Sequence, residues 1–186
     1  MNTEKNRVCP VELANSLDSK ARKWLQNPRK ILSPFVNEGM TVLDLGCGPG
    51  FFSIELANMV GRDGKVISAD LQEGMLEKLG KKIRGTTLEE RITLVQCNRD
   101  SINVSERIDF GLAFYMVHEV PDKERLFREL KTILKEPGRI LIVEPKLFHV
   151  SEQEFQSTMT IAQGVGFAID PGPRLALSWS ALVRNA

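Results

Sequence analysis

The chain has one tyrosine, two tryptophans and two histidines, and no excess of either charge, with 25 Lys and Arg against 24 Asp and Glu. Without a dominant charge there is no long-range field to draw it onto nucleic acid or an anionic membrane, so a small partner is expected instead. No apolar run of about 18 residues is present, and the first residues lack the apolar stretch of a secretion signal. These absences predict no membrane insertion and a cytoplasmic protein. Cysteine is scarce and scattered: Cys9, Cys47 and Cys97 form no Cys-x-x-Cys pair. That argues against a disulfide framework and a zinc site, and no metal is expected. Repeats, low-complexity tracts and interdomain linkers are also missing. A chain of 186 residues with 42% apolar content then suits a single domain over residues 1–186. It divides into a helical lead (1–38), a core (39–145) and a tail of helix and hairpin (146–186).

What is present is concentrated in Val42-Leu43-Asp44-Leu45-Gly46-Cys47-Gly48-Pro49-Gly50. Val42, Leu43 and Leu45 suit a strand buried on both faces, and the glycines after it suit a turn whose backbone approaches a ligand. Phe52, Leu56, Met59 and Val60 follow at helical spacing, so the free N–H groups of a helix start should face whatever the turn holds. The pattern departs from the dinucleotide fingerprint G-x-G-x-x-G, because its third glycine comes one position early and Phe51 occupies the fingerprint's place. Asp44 would repel a pyrophosphate and suits an amino-bearing or cationic ligand. The Walker lysine is missing, which excludes a P-loop.

Downstream the chain alternates. Strands are predicted at 65–70, 92–95, 108–116 and 139–145, with helices through Met75–Ile83, from Asp122 through Leu134, and from the capping box at Ser151 and Glu154. Phe167–Ile169 and Leu175–Val183, joined through Pro171-Gly172-Pro173, must be antiparallel because so short a connection cannot cross over. Ahead of the core, Leu13 through Leu25 and then Asn27 through Val36 read as two helices, either covering a sheet face or walling a substrate pocket. Asp70 ends its strand about twenty residues past the glycines, where an acid can accept from ribose hydroxyls or merely cap the next helix.

The glycine string resembles motif I of the class I S-adenosylmethionine-dependent methyltransferases, and the wider chain is similar to their quinone-biosynthesis and type 11 small-molecule branch. The resemblance implies a Rossmann-like doubly wound α/β sheet of seven strands in the order 3-2-1-4-5-7-6, with strand 7 antiparallel and helices on both faces. It implies S-adenosyl-L-methionine as cofactor, held by Asp44, Gly46, Cys47, Gly48 and Gly50. Asp70 would take the ribose and Leu71 would pack on the adenine. Asn98 and Arg99 stand where relatives carry an acid and a small residue. The Asn98 side-chain oxygen can still accept from the adenine amine, only the Arg99 backbone is needed, and Asp100 is expected to pair with Arg99 at the surface.

In such a sheet, ligands sit beyond the carboxyl ends of the strands, so Phe114, Tyr115, Met116, His118 and Glu119 should face the transferable methyl group, with Glu144 at the same rim. His118 is either a general base tuned by Glu119 or an anchor for the following loop. Glu144 either touches substrate or pairs with Lys146. The implied reaction is in-line methyl transfer to a small-molecule acceptor, with a homodimer left open. A nicotinamide-dependent oxidoreductase and a catalytically silent S-adenosylmethionine-binding module are the competing expectations.

Overall fold

The computed structural model describes residues 26–146 and 150–186. The first predicted helix, over Leu13–Leu25, lies outside the described residues. Elements follow as α1 (Pro28–Leu32), β1 (Thr41–Leu45), α2 (Ser53–Met59), β2 (Lys65–Asp70), α3 (Glu73–Ile83), β3 (Ile92–Gln96) and β4 (Ile108–Phe114). A short 3-10 turn (Val117–Glu119) leads to α4 (Lys123–Ile133), β5 (Leu134–Pro145), α5 (Glu152–Val165), β6 (Phe167–Pro171) and β7 (Ser178–Asn185).

The seven strands form one sheet in the order β3-β2-β1-β4-β5-β7-β6. β1 to β5 pair in parallel, and β7 runs antiparallel to both β5 and β6. This is the Rossmann-like arrangement that the resemblance implied. The alternation of side chains along each strand feeds two cores. Leu43, Leu45, Ile67 and Ala69 pack with Phe127 and Leu130 of α4 and Phe155 and Met159 of α5. Val42, Val66, Phe110 and Leu112 pack with Leu32 of α1, Leu56 of α2 and Leu79 of α3. Both faces are therefore covered, which is why β1 and β2 are apolar almost throughout.

Local chemistry sets the ends of the elements. Asn27 caps α1 by accepting the Lys30 N–H at 3.1 Å. The helix was expected to reach Val36 but stops at Leu32: Ser33 keeps a helical backbone as the C-cap, and Pro34 has no N–H with which to continue the ladder. Asp122 caps α4 and the capping box of Ser151 and Glu154 opens α5, which closes at Gly166. β4 is shorter than predicted, because Tyr115 takes a φ of 60° and turns the chain off the sheet. β5 is longer: it begins directly at the end of α4, and a register shift lies between its pairings to Ile108 and Phe110. Gly50 has a φ of 89°, and a Cβ there would lie 2.3 Å from Leu79 Cδ1, so the turn packs on α3 only without a side chain. Among the described residues, no helix is long and apolar enough to cross a membrane.

Candidate active site

The loop after β1 folds over the end of β2. Gly46 and Cys47 both donate their N–H groups to the Ala69 carbonyl, at 2.8 and 3.1 Å. Gly48, with a φ of 53°, then faces open space: a Cβ built there meets nothing within 4 Å. Its N–H donates to Asp70 Oδ2 at 2.8 Å, while Asp70 Oδ1 accepts the Gln72 N–H at 2.8 Å. Burial pushes the Asp70 carboxyl up from its ordinary value, and the N–H groups of Gln72, Gly48 and Leu71 offset this only in part. Each oxygen keeps a lone pair, so the carboxylate can still accept from a ligand. Leu71, beside it, is 38% exposed.

Asp44 leaves β1 on the same face as Val42, is 2% exposed and accepts the Ser53 hydroxyl at 2.6 Å. Sequence reasoning passed over Ser53, although a serine at the first position of α2, three residues past the last glycine, can meet a strand-end acid. Asp44 and Asp70 converge on Cys47. Its thiol is raised well above the usual range, first by burial and then by those two charges, so it stays protonated. Burial and the charges of Asp70 and Glu129 push Cys97 up to about 12.

The β3 end lies against β2 through the Cys97 N–H and the Asp70 carbonyl at 2.9 Å. Asn98 and Arg99 are both exposed there. Asn98 Oδ1 accepts the Asp100 N–H at 2.9 Å, which holds the side chain against its own loop. Arg99 gives its carbonyl to Arg125 at 2.7 Å, and Arg125 also pairs with Asp100 at 3.0 Å. The expected Arg99 to Asp100 pair is thus replaced by one from α4, which reaches the loop where Arg99 does not.

The residues expected together at the ends of β4 and β5 separate onto two faces. Phe114 sits on the α1, α2 and α3 side, in a row of rings with Phe52 at 4.4 Å and Tyr115 at 4.5 Å, and Phe51 lies 5.0 Å beyond Phe52. The Tyr115 hydroxyl meets Ser178 Oγ at 2.6 Å and accepts from Gln26 Nε2 at 2.8 Å. Glu144 follows Ile142 in the alternation of β5, onto the α4 and α5 side. It is 2% exposed, accepts the Val117 N–H at 2.8 Å and bonds His118 Nδ1. Burial works against a charged His118, but the hydrogen bond and charge of Glu144, with a smaller pull from Glu119, outweigh it and raise its pKa. Lys146 does not pair with Glu144; its ammonium lies 4.1 Å from the centre of the Trp179 ring.

A cavity of about 330 Å³ opens beside Phe114, lined also by Gln26, Asn27, Lys30, Arg174 and Ser178. Apart from Phe114, none of these lining residues was singled out as a site residue in the sequence. They lie in the lead, in the β6–β7 loop and at the start of β7, brought to β4 by the tertiary fold. Among the described residues, no group of three or more His, Cys, Asp or Glu is placed to hold a metal ion.

Comparison with known proteins bears on this geometry. The chain is 34% identical over 115 residues to the ubiquinone/menaquinone biosynthesis C-methyltransferase UbiE of Escherichia fergusonii, covering 59% of this chain and 44% of the relative. It is 34% identical over 110 residues to the demethylmenaquinone methyltransferase of Lactobacillus johnsonii, covering 59% and 45%. The matches thus span less than half the length of these relatives. The crystal structure of a SAM dependent methyltransferase from Aquifex aeolicus superposes with a TM-score of 0.83 at 25% identity, over 95% of this chain and 98% of that one. Residues 36–176 match the family described as a methyltransferase domain. With its glycine turn, its paired strand-end acids and its strand order, the chain belongs to that family and carries the class I S-adenosylmethionine-dependent methyltransferase fold.

Proposed function

We propose that the protein is an S-adenosylmethionine-dependent methyltransferase acting on a small-molecule acceptor. The observation that carries this reading is the Asp70 carboxylate, buried and bonded to the Gly48 N–H, with lone pairs left beside an open backbone. A buried carboxylate whose pKa stays raised is under-compensated by its own hydrogen bonds, and two ribose hydroxyls are the donors that would complete it. Asp44, on the same face, suits the amino-acid end of the cofactor, with Gly46, Cys47 and Gly50 shaping the backbone between. Leu71 supplies an apolar surface for the adenine, and the loop of Asn98 and Arg99 borders it. Phe114 closes the side toward the acceptor.

When bound, S-adenosylmethionine supplies a sulfonium methyl carbon, which an acceptor lone pair attacks as the carbon–sulfur bond breaks toward sulfur and S-adenosylhomocysteine leaves. The residues of this chain then have to align the acceptor and keep water out rather than form a covalent bond. His118 and Glu144 act as one unit: Glu144 bonds Nδ1, and Nε2, 3.9 Å from Glu119 Oε1, is the ring atom that would take an acceptor proton. Because the pair faces the α4 and α5 side, the other role open to it is to hold the loop after β4. A kcat that rises with pH through the raised His118 pKa and shifts in Glu144→Gln assigns proton transfer; a flat profile assigns loop holding.

The relatives named for quinone biosynthesis support a cyclic acceptor methylated on carbon. The test is calorimetric titration with S-adenosylmethionine, S-adenosylhomocysteine and NAD, followed by release of S-adenosylhomocysteine over a panel of small acceptors. Binding of the two sulfur nucleosides but not NAD is expected. NAD binding alone would overturn the proposal, and cofactor binding with no acceptor turned over would favour a silent binding module.

A further inference from the structure

The cavity beside Phe114 has a polarity that the methyl-transfer reading does not require. Lys30 and Arg174 line it from opposite elements, α1 and the β6–β7 loop, and no carboxylate among the described residues lines it with them. Neither cation has a hydrogen-bond or ion-pair partner among the described residues; the nearby acid Glu55 pairs instead with Arg29 at 3.5 Å.

Other polar groups lie at the cavity floor. Ser178, 5% exposed, lies 2.6 Å from the Tyr115 hydroxyl, and its oxygen is also 3.2 Å from the Ala176 carbonyl. The Tyr115 oxygen in turn accepts from Gln26. Asn27 commits its oxygen to capping α1, so its amide N–H groups are what it can offer. The charged donors at the cavity are an ammonium and a guanidinium, with the Asn27 amide beside them and an apolar wall of Ile31, Phe114 and Leu175.

Lys30 and Arg174 are exposed, and a neutral acceptor gains little from them, whereas an oxyanion can form charge-assisted bonds to both, and a planar guanidinium fits its two oxygens. The volume lies at the small end of the range for small-molecule sites, about 300–1,000 Å³. The Phe114 ring joins the cavity to the glycine turn through Phe52.

We propose that this cavity binds the methyl acceptor by an oxyanion on it, a carboxylate or phosphate monoester, held by Lys30 and Arg174. The proposal rests on the methyl-transfer reading for the word acceptor, and its test separates the two. Three small probes are titrated calorimetrically into the free protein and into its S-adenosylhomocysteine complex: 4-hydroxybenzoate, phenyl phosphate and the neutral 4-hydroxybenzamide. At least one anion is expected to bind about tenfold more tightly than the amide, with the advantage shrinking as salt is raised. Whether benzoate or phosphate wins distinguishes the two oxyanions.

Lys30→Gln and Arg174→Gln should each weaken the anion by about fivefold and leave both the amide and S-adenosylhomocysteine unchanged. An amide that binds as well as the anions, anions that do not bind, or variants that leave anion affinity intact would each overturn the proposal. Failure of S-adenosylhomocysteine to bind would overturn the methyl-transfer reading instead, while the anion selectivity of the free protein still decides this one.

Discussion

The β1–β2 end of the sheet rim and the β4–β5 end face the same problem, polar groups buried at strand termini, and satisfy them differently. At β1–β2 the carboxylate of Asp70 is held by backbone N–H groups, and the bonds span 2 and 22 positions of chain. At β4–β5 Glu144 takes one backbone donor, the Val117 N–H, and the other bonds run between side chains: Glu144 and His118 are 26 positions apart, Tyr115 and Ser178 63, and Tyr115 and Gln26 89. A backbone donor is present whatever the residue, so the first end depends on conformation and glycine. The second depends on particular side chains arriving from distant segments. Substitutions at the first end should therefore act through backbone shape and cofactor affinity, and at the second through protonation and the acceptor.

The largest effect expected is on stability, from Gly50→Ala. The added methyl meets Leu79 in a region of φ unfavourable to alanine, and a cost of about 2–4 kcal/mol is expected by urea unfolding. Asp70→Ala should weaken S-adenosylmethionine binding by about 1–3 kcal/mol in calorimetry, through loss of charge-assisted hydrogen bonds. An unchanged dissociation constant would remove Asp70 from the cofactor site.

The same carboxylate predicts a pH dependence. Its pKa is raised in the free protein and added donors lower it, so cofactor affinity should weaken as pH falls through the free-state value. Asp70→Asn should flatten that profile.

At the other end, His118 has its pKa raised in the folded state above the ordinary 6.5. The stability it contributes is complete below the unfolded value and is lost as pH rises through the folded one. Glu144→Gln should bring the His118 NMR titration back down and remove that slope. With only two histidines in the chain, its resonance can be assigned by a single substitution. The smallest effect concerns Asn98→Asp, which should strengthen cofactor binding by about 0.5–1 kcal/mol if the adenine amine reaches this loop. No change would place the adenine away from it.

The sheet was readable because each strand of the core carries its own apolar pattern and each helix its own cap. Asn27, Asp122 and the pair of Ser151 and Glu154 act within three residues of themselves. The glycine turn and both acids were readable for the same reason. Errors fell where a local pattern was overruled. β4 was drawn through Met116 because its residues are apolar, yet Tyr115 turns away to reach Gln26 and Ser178. Asp100 was paired with its neighbour Arg99, yet Arg125 of α4 lies closer. The cavity beside Phe114 could not be read at all, since Lys30 and Arg174 are unremarkable surface residues until α1 and the hairpin loop meet.

By itself the sequence determined the order and type of the strands and helices of the core and the turn at residues 46–50, because periodicity, caps and positive φ are decided by neighbours along the chain. Only the tertiary structure decided that His118 and Glu144 face away from Tyr115, and that Lys30 and Arg174 line one cavity. Both depend on which face of a strand a residue occupies and on which distant segment packs over it.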